Sequence, residues 1–259
     1  HHGRRWSRAV PFPVGVEQGG LGARVAITGA SGFVGSHCLA AAVAAGHEVR
    51  AVIRNPAKAR AAAILHGLNP DDIDVTLADL TDHDALLASL EGVDTLIHAG
   101  AVFSLDPRDA RRMRTVNPTS TRVLLDGAAE RGLSRVVYVS SMGVYGAGRT
   151  RVDPNTPTGP ECGAYTGSKI EADGIAVAHQ EAGQPVVIVC PGGIIGPRDP
   201  SPKLSDSMAP VLDGLRRSVV PLPKGACFGM VDVRDVADVC VGSLTTGSAP
   251  ARHLLAGHL

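Results

Sequence analysis

The chain has 259 residues, 44% of them hydrophobic, enough to bury the core of one large α/β domain or of a domain with a small lobe. Lys plus Arg and Asp plus Glu both number 25, so net charge points to no nucleic acid and no membrane surface, and the expected partner is a small-molecule substrate. The five cysteines (Cys38, Cys162, Cys190, Cys227, Cys240) form no Cys-x-x-Cys pair, which predicts buried thiols in a reducing compartment and neither a disulfide framework nor a zinc site.

The stretch 1–22 is read as a tag remnant and flexible leader: it opens on His1-His2, is rich in Arg, Pro and Gly, and has no apolar periodicity. Arg4-Arg5 is followed by no apolar segment, and no run nears the roughly 18 apolar residues of a membrane span, so a cytoplasmic location is expected. From Arg24 onward, β-branched runs alternate with Ala- and Leu-rich stretches, the order of repeated βα units and hence of a parallel sheet covered on both faces. A predicted strand over Arg24–Thr28 leads into Gly29-Ala30-Ser31-Gly32-Phe33-Val34-Gly35 and a predicted helix over Gly32–Ala45. In that setting the glycines permit a tight turn, close approach of a pyrophosphate, and packing of the helix on the strand. The Gly-x-x-Gly-x-x-Gly spacing departs from the usual dinucleotide fingerprint, and Gly35 could serve helix packing alone.

The second strand, Glu48–Arg54, ends on a basic residue where an acidic one would bond the adenosine ribose of NAD. The guanidinium of Arg54 suits the 2′-phosphate of NADP instead. Asn55-Pro56 reads as the N-cap and first residue of a helix running to His66, which puts Lys58 in the first turn, where a bound phosphate would relieve its conflict with the helix dipole. Solvated surface charge is the alternative for both residues, and NADP is favoured over NAD. A strand over Ile73–Leu77 precedes Asp79-Leu80 and a helix over Asp82–Leu90. A fourth strand, Thr95–Ala99, runs on into Gly100-Ala101, and the helix Pro107–Arg131 carries Asn117-Pro118. The strand Arg135–Ser140 is followed by Ser141-Met142-Gly143-Val144-Tyr145-Gly146, the helix Cys162–Ala182 holds Tyr165 and Lys169, and the strand Pro185–Cys190 ends at Pro191-Gly192. Beyond it Pro and Gly become dense, and one further helix is announced, Asp232–Leu244, with Asp232 as N-cap.

Tyr165 and Lys169 are four residues apart and share one helix face. An ammonium beside a tyrosine stabilises the phenolate and moves a pKa of about 10 toward the range useful for proton transfer. Tyr-x-x-x-Lys alone is common on exposed helices. Together with the glycine turn and the serine-bearing segment after the fifth strand, it resembles the extended branch of the short-chain dehydrogenase/reductase superfamily, the NAD-dependent epimerase/dehydratase family, and within it the dihydroflavonol-reductase-like group.

That resemblance implies a Rossmann-type doubly wound sheet over 23–190 and elements of a small C-terminal substrate lobe over 191–259, expected to be incomplete. It implies that Tyr165 passes the proton, that Lys169 tunes it and holds ribose, that Ser141 holds the reacting oxygen, and that Asn117 orders the lysine through water, although Pro118 follows it and could mark a kink. Cofactor contacts are implied for Gly29, Ser31, Gly32, Phe33, Val34 and Gly35, for Arg54 and Lys58, and for Asp79 and Leu80, with Asp79 toward the adenine amino group or equally a helix cap. Ala99, Gly100 and Ala101 are implied beneath the cofactor, with Gly100 replacing the usual alanine, and Pro191 and Gly192 near the nicotinamide. His98 and His179 read as a buried strand end and a helix face, and no metal is expected. The implied reaction moves hydride between a nicotinamide and a carbonyl or secondary alcohol. A sugar-nucleotide epimerase or dehydratase with retained NAD is the alternative, and a non-catalytic NADP-sensing regulator a third. The two long helices are expected to form the bundle of a homodimer.

Overall fold

A computed structural model describes residues 22–149, 151–201, 214, 216 and 229–257, so the leader through Leu21 and Cys227 fall outside the described residues. Seven parallel strands form the main sheet: β1 (Arg24–Thr28), β2 (Glu48–Ile53), β3 (Asp74–Leu77), β4 (Thr95–His98), β5 (Arg135–Val139), β6 (Val186–Pro191) and, after a two-stranded excursion, β9 (Ala251–Leu255). Their spatial order is β3-β2-β1-β4-β5-β6-β9. The sequence reverses direction across the sheet between β1 and β4, and in such sheets ligands settle at the carboxyl ends beside that switch point.

Alternate residues of each strand feed opposite faces. Val25, Ile27, Ile97, Val137 and Val187 pack against α1 (Phe33–Ala44), α2 (Pro56–Leu65) and the final helix described, α6 (Val233–Thr245). Ala26, Leu96, Val136, Tyr138 and Ile188 pack against α3 (His83–Ala88), α4 (Ala110–Glu130) and α5 (Ala164–Glu181). A sheet buried on both sides needs apolar residues at every strand position, which is why the inner strands read as continuous apolar runs. β3 is an edge strand and largely exposed.

The six predicted strands and six predicted helices all form, with ends shifted by a residue or two. The helix expected from Pro107 begins as a 3-10 turn, Pro107–Asp109, before α4, and Pro118 is accommodated inside α4 without ending it. Asp232 caps α6 by accepting from the Arg234 N–H at 2.8 Å. Three strands carried no clear signal. β7 (Gly193–Ile195) and β8 (Met230–Asp232) are only three residues each and pair with one another. β9 lies in the stretch expected to supply lobe elements, yet it pairs with β6 and extends the main sheet, while α6 packs on α1. Its Arg252 breaks the apolar run because the guanidinium is used inward. Cys38, Cys190 and Cys240 are buried free thiols as expected, but Cys162, just before α5, is exposed.

Candidate functional site

The glycine turn closes β1 over the edge of the sheet. Gly29 has φ +70°, and a Cβ there would stand 2.7 Å from Gly100 Cα, so the ends of β1 and β4 touch backbone to backbone. A Cβ at Gly35 would stand 2.1 Å from the Gly29 carbonyl oxygen, so α1 crosses directly over the turn. Gly32 does something else. It is exposed, donates its N–H to the Gly29 carbonyl at 2.8 Å, and as N-cap offers no side chain to the helix. Neither it nor the first turn of α1 brings an acidic group, so the leading N–H groups of Phe33, Val34 and Gly35 present bare positive helix-dipole charge beside half-buried Ser31. A diphosphate fits this cradle, with close backbone approach on one side and unanswered donors on the other.

Farther along the edge, Arg54 follows β2 with its side chain 59% exposed, and its Nη1 lies 3.9 Å from Asp79 Oδ2. The structure thus brings together two residues singled out separately. Asp79 Oδ1 accepts from the Thr81 N–H (3.0 Å) and hydroxyl (2.8 Å), which hold its pKa below the usual carboxylate value, with Arg54 adding in the same direction. The helix cap is Asp82, not Asp79. Asn55 caps α2 by accepting from the Lys58 N–H, placing Lys58 in the first turn as expected. Leu80 Cδ2 lies 3.2 Å from where a Gly100 Cβ would sit, and Thr28 Oγ1 3.1 Å, so the departure from alanine at Gly100 relieves a crowded junction.

The catalytic candidates gather where α5 passes the ends of β5 and β6. Lys169 is buried, and its Nζ donates to the Val139 carbonyl at 2.8 Å and the Tyr138 hydroxyl at 3.4 Å. Burial pushes its pKa down to about 8 against the opposing pull of Asp173. Burial also pushes Tyr165 up to about 12. The Lys169 ammonium is turned toward the Val139 carbonyl, and burial is the cause of the upward shift at Tyr165. Ser141 accepts from the Gly143 N–H at 3.1 Å, which leaves its own hydrogen to donate. Ser140 is turned away, donating to buried Asp173 at 2.6 Å.

Asn117 has direct protein partners. Its Oδ1 accepts from the Val102 N–H (2.7 Å), and its Nδ2 donates to the Val102 carbonyl (2.9 Å) and to Ser168 Oγ (2.9 Å). Ser168 in turn donates to the Tyr165 carbonyl at 2.7 Å. Asn117 thereby ties the loop after β4, with Ala99, Gly100 and Ala101 at its start, to the turn of α5 that carries Tyr165. Pro191 ends β6, and the Gly192 N–H donates to the Leu255 carbonyl at 2.8 Å, while a Cβ at Gly192 would stand 2.2 Å from the Gly229 carbonyl oxygen. Those small residues serve the crossing of β6 with β8 and β9.

Sequence reading missed the group beneath this site. Arg252 Nη2 lies 2.8 Å from Asp173 Oδ2 in an ion pair whose side chains are 11% and 1% exposed, and its Nη1 reaches the Tyr145 hydroxyl at 3.2 Å and Cys190 Sγ at 3.4 Å. Asp173 lies one turn beyond Lys169 on the same face, a spacing that could have flagged it. Among the described residues no cluster of three or more His, Cys, Asp or Glu side chains could hold a metal ion.

A doubly wound parallel sheet with a bare helix start over a glycine turn at its switch point defines the dinucleotide-binding class of fold. Residues 25–257 match the NAD dependent epimerase/dehydratase family, and the chain belongs to that family. It is 34% identical over 216 residues to a putative dihydroflavonol 4-reductase of Synechocystis, covering 82% of this chain and 60% of that protein. It is 31% identical over 239 residues to sterol demethylase protein B of Methylococcus capsulatus, covering 89% and 69%. Among solved structures, the dTDP-glucose 4,6-dehydratase DesIV of Streptomyces venezuelae, with NAD and TYD bound, superimposes with a TM-score of 0.74 at 26% identity over 91% of this chain and 76% of that one. No described helix is long and apolar enough to cross a membrane.

Proposed function

We propose that the chain carries the cofactor domain and catalytic group of an NADP-dependent reductase acting on the carbonyl of an apolar, ring-bearing compound. The observation that carries the reading is geometric: Tyr165 stands on α5 one turn before buried Lys169, with its ring against Phe103. A tyrosine hydroxyl holds its proton at neutral pH and can give it to a substrate oxygen as hydride arrives at the carbon. Ser141 donates a hydrogen bond to the same oxygen, and Lys169, with a pKa of about 8 and so mostly cationic at neutral pH, offsets the charge that develops on the phenolate. When bound, the nicotinamide supplies the hydride. Lys169 and Tyr165 would hold its ribose, the first turn of α1 its diphosphate, and Arg54 the 2′-phosphate.

The substrate class rests on the loop after β4. Phe103 is 42% exposed and meets Tyr165 edge to face at a centroid distance of 4.7 Å. A partly exposed aromatic side chain packed on the Tyr165 ring favours an apolar partner. The names of the Synechocystis and Methylococcus relatives, a flavonoid reductase and a sterol-processing protein, agree with that class. The second reading, a sugar-nucleotide epimerase or dehydratase with retained NAD, is favoured by the NAD-bound dehydratase among the structural relatives. Pairing of two copies through α4 and α5, which pack together on one face of the sheet, belongs to the proposal and is checked by light scattering.

Mass analysis of nucleotide released from native protein, followed by an absorbance assay of NADPH with aromatic and alicyclic ketones, tests the reading. Exchangeable NADP and net NADPH consumption are expected. Stoichiometric, non-exchangeable NAD with no net consumption would overturn it in favour of the epimerase.

A further inference from the structure

His98, the last residue of β4, is 1% exposed and stands opposite Thr28 in the parallel register. A directed series of hydrogen bonds runs through it. The Gly100 N–H donates to Thr28 Oγ1 (3.1 Å), and Thr28 Oγ1 lies 2.7 Å from His98 Nδ1. On the other side His98 Nε2 lies 3.1 Å from Thr121 Oγ1, whose hydroxyl donates to the Asn117 carbonyl at 2.8 Å. A carbonyl only accepts, so the Thr121 hydrogen goes to Asn117, and Thr121 Oγ1, which also bonds the Tyr138 hydroxyl, accepts from His98 Nε2–H. Burial holds the imidazole neutral, with its pKa pushed down to about 3, so Nδ1 keeps its lone pair and accepts from Thr28. One tautomer is fixed, and every donor faces the same way from Gly100 to Asn117.

The two ends of this series are the two halves of the site. Gly100 is pressed against Gly29 at the cofactor turn, and Asn117 is bonded to Ser168, which bonds the Tyr165 carbonyl. We propose that His98 is a positioning residue that fixes the cofactor turn and the Tyr165 turn of α5 relative to one another, through Thr28 on one side and Thr121 with Asn117 on the other. The proposal rests on the reductase reading for its turnover readout. Residues bonded to both sides of a rigid sheet end act on placement, and small misplacements of reacting groups are costly in rate.

Two substitutions separate the arms. In His98→Gln the amide nitrogen is as many bonds from Cα as Nε2 and can still donate to Thr121, whereas nothing accepts from Thr28. In His98→Asn the amide oxygen is as many bonds from Cα as Nδ1 and can still accept from Thr28, whereas the donor to Thr121 is gone. Loss of one buried hydrogen bond predicts a rise of about ten-fold in the NADPH Kd of His98→Gln with kcat little changed, and a fall of about ten-fold in the kcat of His98→Asn with Kd little changed. Equal effects of both substitutions on Kd and kcat, or no effect of either, overturn the proposal. Should both variants fold poorly, the isosteric Thr28→Val and Thr121→Val cut the same arms from outside, and the same split is required of them. A wild type that binds NADPH and reduces no carbonyl refutes the reductase reading, and the Kd contrast between the variants still decides the cofactor arm.

Discussion

The proposed cofactor edge, from Gly29 to Asp79, and the proposed catalytic side, from Ser141 to Arg252, are built by opposite means. The first is shaped by what is missing: three glycines remove side chains so that backbone meets backbone and helix N–H groups stay bare. The second is shaped by buried side chains drawn from distant segments, with Asp173 bonded to Ser140 on one side and Arg252 on the other. The first arrangement is local in sequence and tolerates little added volume. The second depends on charges that cannot be left alone in the interior.

The largest effect is therefore expected on the catalytic side. Asp173→Ala leaves the Arg252 guanidinium buried without its partner and should cost about 3–5 kcal/mol of stability, read as a lowered urea midpoint. The paired replacement Asp173→Leu with Arg252→Met should recover most of it, and equal loss in both would show that packing rather than charge is at stake. On the cofactor edge, Arg54→Asp should weaken NADPH binding by roughly 10- to 100-fold, as loss of a charge-assisted phosphate contact predicts, with NADH affinity unchanged or improved. Equal NADPH binding in both proteins would remove the basis for NADP. Gly29→Ala forces a left-handed residue and a clash with Gly100, and a cost of about 1–2 kcal/mol corresponds to about a ten-fold loss of cofactor affinity.

A pH dependence of stability is expected from two histidines, His98 at the end of β4 and His66 at the end of α2. Burial lowers His98 from 6.5 to about 3, and burial, with His37 and Arg198, lowers His66 from 6.5 to about 4. Between pH 6.5 and those values the unfolded chain binds protons that the folded chain refuses, so stability is full above 6.5 and declines as the pH falls. Urea midpoints at pH 7 and pH 5 check this. A midpoint that rises on acidification would contradict it.

The same contrast explains what was legible in the sequence. Gly29, Gly32 and Gly35 are contiguous with β1 and α1, so their setting could be read from a dozen residues. Tyr165 and Lys169 were legible for the same reason, being one turn apart. The shifts at Lys169 and Tyr165 were not legible because burial, their leading cause, is a property of the packed core. Arg252 was missed because its partner is 79 residues away, and a charged residue inside a short strand hides the strand. His98 was visible as a buried strand end, but its use depends on Thr28 and Thr121, which only the folded sheet brings to its two nitrogens.

Proton donation by Tyr165 is the central claim, and Tyr165→Phe tests it most directly, because the substitution removes one oxygen and keeps the ring that packs on Phe103. Measured side by side with wild type for NADPH Kd and for NADPH consumption with an aromatic ketone, the variant is predicted to bind cofactor as wild type does and to lose turnover by about 10²- to 10⁴-fold, the usual contribution of a positioned proton donor. Turnover equal to wild type would contradict the account.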